Sequence, residues 1–184
     1  IVVSSPVVVG GLVYFGGADG YLYALEAESG EEKWKFRAAG PVFSSPAVAG
    51  GVVYFGAGAY FGEGQRVFYA LDAESGKERW KIDTGGKAVT TAAVAGGVIY
   101  YGSQDQHLHA VDSATGGEKW KFATGAPISS EPVVAGGVVC FGSEDGSLYA
   151  VDAATGQEKW RFRVPEFIKA SILTVTWADG VVYA

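Results

Sequence analysis

Few side chains in this sequence are suited to chemistry. His107 and His109 are the only histidines. In an extended strand, residues two apart share a face, so the pair forms a conceivable two-ligand metal site. No third ligand of suitable type is placed beside them, and His109 takes the slot that Tyr23, Tyr69 and Tyr149 hold elsewhere, an aromatic packing position. Cys140, the sole cysteine, excludes an intrachain disulfide and replaces Tyr14, Tyr54 and Tyr100, as a small buried hydrophobe would. The pairs Ser4-Ser5, Ser44-Ser45, Thr90-Thr91 and Ser129-Ser130 carry hydroxyls able to bind a ligand, but small polar residues also suit a place where strands converge. Glu131 follows the last pair and could attract a cation or simply be solvated. No nucleophile–base–acid set, phosphate-cradling loop or metal cluster can be assembled. The reading is therefore of a non-enzyme with no catalytic residue, no cofactor and no assigned metal.

The elements that position these residues repeat. Trp34, Trp80, Trp120 and Trp160 are spaced by 46, 40 and 40 residues, the first interval being lengthened by six extra residues within segment 57–66. The unit of forty residues contains four short strands. A small-residue strand such as SSPAVA (44–49) turns at Gly50-Gly51 into VVYFG (52–56). A third strand, YLYALE (21–26) in the first unit, leads to a fourth that carries the tryptophan, EKWKF (32–36). Between these last two strands, an acidic residue can accept backbone N–H bonds, Gly30, Gly76, Gly116 and Gly156 supply positive φ, and Ala24, Ala70, Ala110 and Ala150 leave space for an indole. A four-stranded sheet apolar on both faces is unstable alone and must stack on copies of itself, and radial stacking is the β-propeller solution. No segment keeps a 3.6-residue apolar period, which excludes a helical solenoid.

The predicted fold is all-β: a β-propeller, or an open propeller arc, of four-stranded antiparallel blades with four full repeats and a partial fifth. A single domain, 1–184, is expected, with repeats at about 1–41, 42–87, 88–127 and 128–167 and a half repeat at 168–184. The hydrophobic content of 48% suffices for a packed core. A net charge of −6 without a basic cluster argues against nucleic acid or an acidic lipid surface, and no apolar run reaches the ~20 residues of a spanning helix. No targeting segment precedes Ile1, so the natural start is expected to lie outside this sequence.

The four Ala/Asp/Gly/Trp sets resemble the tryptophan-docking motif of the PQQ-like repeat family, the β-propellers that include quinoprotein alcohol dehydrogenases and outer-membrane assembly lipoproteins of the BamB type. The resemblance implies that Trp34, Trp80, Trp120 and Trp160 each dock on the neighbouring blade near its Ala and Gly positions. Trp177 stands outside this set. Family members usually close with seven or eight blades, so this chain is expected to be incomplete relative to such a ring. The quinoproteins hold their cofactor with a vicinal disulfide and calcium ligands including Asn, whereas this sequence has one Cys and no Asn. The resemblance thus implies PQQ-like repeats without bound PQQ: a non-catalytic scaffold for protein interaction or ligand sensing, extracytoplasmic by family. The alternatives are a fragment of a quinoprotein dehydrogenase and a purely structural or engineered array. Partners are expected to be another protein, or a second copy through open blade edges. The 57–66 insertion, with Tyr60, Phe61 and Arg66, is a candidate partner loop.

Overall fold

Each unit opens on a hairpin whose two connecting residues must both take positive φ for the turn to match strand twist, which glycine does without strain. In the second unit Gly50 and Gly51 have φ of 57° and 72°. The computed structural model describes residues 2, 4–58, 65–85, 90–164, 176–178 and 181–183. The first sheet comprises β1 (Val7–Val9), β2 (Leu12–Gly16), β3 (Tyr21–Glu26) and β4 (Glu32–Arg37). The second comprises β5 (Ala47–Ala49), β6 (Val52–Gly58), β7 (Arg66–Asp72) and β8 (Glu78–Asp83). The third has β9 (Ala93–Ala95), β10 (Val98–Gly102), β11 (His107–Asp112) and β12 (Glu118–Ala123); the fourth has β13 (Val133–Ala135), β14 (Val138–Gly142), β15 (Ser147–Asp152) and β16 (Glu158–Arg163). Within each sheet the strands pair antiparallel in chain order. β17 (Thr176–Ala178) and β18 (Val181–Tyr183) pair with each other.

The chain divides into two compact units, Ile1–Thr91 with the first two sheets and Ala92–Ala184 with the rest. In the first unit Leu12, Tyr14, Leu22 and Ala24 pack with Val53, Phe55, Val67, Tyr69 and Leu71, so the core lies between sheet faces. In the second unit Tyr100, Leu108 and Ala110 pack with Ile128, Val139, Phe141, Tyr149 and Val151. Burial of both faces explains why β6 and β7 read as near-continuous apolar runs.

One regular feature escapes the apolar pattern. Between the third and fourth strands the register shifts: Ala24 pairs with Trp34 but Leu25 pairs with Glu32, leaving Lys33 as an extra residue. The same shift singles out Arg79, Lys119 and Lys159. A bulge re-aims the residue it carries, and in every sheet that residue is a cation bonded to the acidic residue that starts the turn: Glu26, Asp72, Asp112 or Asp152.

Candidate functional site

The histidines sit on β11 and are engaged within their own sheet. His109 Nε2 lies 2.9 Å from Asp105 Oδ2, and His109 stacks on Tyr101 with ring centroids 5.1 Å apart. In the equivalent places Tyr23 donates to Asp19 and Tyr149 donates to Asp145, both at 2.7 Å. His109 thus reproduces a tyrosine's bond and stack. His107 Nδ1 lies 2.8 Å from the Asp105 carbonyl oxygen. Burial opposes ionisation of Asp105, but the His109 charge and hydrogen bonds outweigh it and lower its pKa. No group of three or more His, Cys, Asp or Glu side chains that could hold a metal occurs among the described residues.

The hydroxyls at the start of three of the repeats clip strands together. Ser4 Oγ accepts the Gly16 N–H at 2.7 Å, Ser44 Oγ accepts that of Gly56 at 2.8 Å, and Ser130 Oγ accepts that of Gly142 at 2.7 Å. This corrects the pairing read from sequence. Ser130, not Ser129, matches Ser4 and Ser44, so Glu131 fills the place of Ser5, Ser45 and Thr91. That place links the first two repeats, because Ser5 N–H donates to Ser45 Oγ at 3.0 Å, and Ser45 N–H in turn donates to Thr91 Oγ1 at 3.1 Å.

Cys140 is buried, and burial pushes its thiol pKa up. Of the insertion, Tyr60 and Phe61 lie outside the described residues. Arg66 does not stand on an exposed loop as expected: it opens β7 and is buried, because β6 and β7 each extend into the insertion and pair as far as Gly58 and Arg66.

Two of the tryptophans, Trp34 and Trp120, lie at sheet-to-sheet contacts within their units. Trp34 Nε1 donates to the Ala73 carbonyl at 3.0 Å, and Trp120 Nε1 donates to that of Ala153 at 3.2 Å. Tyr14 and Tyr100 donate to the same two oxygens at 3.1 and 2.9 Å. The indoles lie so close to the turn glycines that a Cβ on Gly76 would fall 2.6 Å from Trp34, and one on Gly156 2.7 Å from Trp120. Phe36 meets Phe55 and Tyr69 edge-on, as Phe122 meets Phe141 and Tyr149. Lys33 Nζ reaches Glu74 at 2.6 Å. The alanines expected to receive a neighbour's indole are placed differently: Ala24, Ala70, Ala110 and Ala150 pair across strands with the tryptophan of their own sheet. The neighbour's contact falls on the carbonyl three residues later. Trp160 is 42% exposed and Phe162 57% exposed.

This arrangement has counterparts in known proteins. The family model described as outer membrane protein assembly factor BamB matches residues 2–81 and 63–184. No curated protein sequence matches the chain. Among solved structures, BamB from Moraxella catarrhalis is similar with a TM-score of 0.79 and 22% identity over 97% of this chain and 54% of that one. The computationally designed Ika8 protein gives a TM-score of 0.80 and 18% identity, covering 96% of this chain and 53% of that one. Quinohemoprotein alcohol dehydrogenase from Comamonas testosteroni gives 0.73 and 19%, covering 89% and 35%. The chain thus spans about half the length of the first two and about a third of the last. With matches spanning nearly its whole length, the chain belongs to the BamB-like family of PQQ-like repeat β-propellers.

Proposed function

We propose that this chain is a non-catalytic protein-binding scaffold acting outside the cytoplasm. The observation that carries the reading is the exposed aromatic edge of β16, where Trp160 and Phe162 stand 42% and 57% exposed. Exposed apolar groups of this size beside one another mark interaction surfaces. The four tryptophans, with Gly30, Gly76, Gly116 and Gly156, serve as docking elements between blades rather than as ligand groups. The hydroxyls, carboxylates and histidines of the repeat are engaged in holding strands together, and among the described residues no buried side-chain polar atom lacks a partner. Membership in a family described by an outer membrane assembly factor supports the extracytoplasmic location and a protein partner. The likeness to a quinohemoprotein dehydrogenase favours a second reading, a piece of a larger oxidoreductase.

The test is site-directed photo-crosslinking from position 162, with exposed Glu31 as the control position. Discrete protein adducts from 162 and none from 31 support the scaffold. Oxidation of a primary alcohol that depends on added PQQ and calcium, with no adduct from 162, overturns it.

A further inference from the structure

We draw no further inference here: the strongest candidate, the surface patch at Phe43, 38% exposed where the segment joining the first two sheets meets the end of β6 at Gly58, carries nothing because nothing in the structure shows what covers it.

Discussion

Adding one methyl group at Gly76 separates the cost of a left-handed backbone from the cost of moving an indole, because Gly30 offers the same turn without the indole. The two φ values are 67° and 72°. A Cβ in that region costs about 1–2 kcal/mol at either position, and the lower unfolded-chain entropy of alanine offsets about 0.4–1 kcal/mol of it. Each substitution therefore loses about 1 kcal/mol through the backbone alone. At Gly76 the new Cβ also falls 2.6 Å from Trp34 Cδ2 and 2.7 Å from Cε3. Ordinary carbon contacts lie at about 3.5–4.0 Å, so the indole must retreat by roughly 1 Å. Overpacking of this kind costs about 1–3 kcal/mol, and losing the Trp34 bond to the Ala73 carbonyl adds about 1 kcal/mol.

Gly76→Ala is thus expected to cost about 2–4 kcal/mol more than Gly30→Ala. At about 2–4 °C per kcal/mol for a chain of this size, the midpoint falls by roughly 4–16 °C more. Thermal unfolding by circular dichroism reads the difference, with the two substitutions made in otherwise identical chains. In a Trp34→Ala background the excess at position 76 should vanish. Equal losses at the two glycines, or an excess that survives removal of Trp34, would refute the claim that this indole is held against this turn.

Gln106 has φ of 70° where Gly20 and Gly146 have 85° and 82°; Gln106→Gly relieves that strain at some entropic cost, and urea unfolding should show a net gain of about 0.5 kcal/mol. Asp72, Asp112 and Asp152 sit below the ordinary carboxylate range, chiefly through bonds from Arg79, Thr115 and Lys159 respectively. A depressed folded pKa contributes stability that is present above the unfolded value near 3.9 and lost as pH falls through the folded value, so the melting temperature should drop below about pH 4 and the triple Asn variant should flatten that drop. Burial raises the Cys140 thiol pKa, so a disulfide reagent should modify it in native protein far more slowly than in denatured protein. His109→Tyr should keep the bond to Asp105 and leave thermal stability within about 1 kcal/mol, while calorimetric titration with zinc should show no saturable heat; tight zinc binding lost in that variant would reinstate the histidines as ligands.

The architecture was legible because period and turn chemistry agree. Tryptophans recurring every forty residues apart from one insertion, Gly-Gly hairpins and short, nearly continuous apolar strands leave few alternatives to stacked small sheets. The strand limits also follow closely, with YLYALE forming β3 over Tyr21–Glu26. The details that failed lie where one residue changes register. The bulge at Lys33 adds no apolar signal, so the cation's aim toward Glu74 could not be read from patterning. The alanine opposite each tryptophan was taken for its neighbour's seat, because small size fits either use and only cross-strand register distinguishes them. The Ser129-Ser130 pair misled for the same reason: counting back from Gly136 rather than matching serines places Glu131 with Ser45. Arg66 read as loop because its segment breaks the repeat, yet an insertion of even length can simply lengthen a hairpin, and this one does.

A repeat that satisfies its own polar groups leaves recognition to the apolar side chains it exposes. Within each unit the two facing sheets bury one another's apolar side chains. Here the last complete sheet presents Trp160 and Phe162, and the first presents Val8 at 64% and Val9 at 44% exposure. The residues that cover such faces inside each unit are known: an indole, a phenylalanine and a cation at fixed offsets, received by a glycine turn, a carbonyl and an aromatic pair.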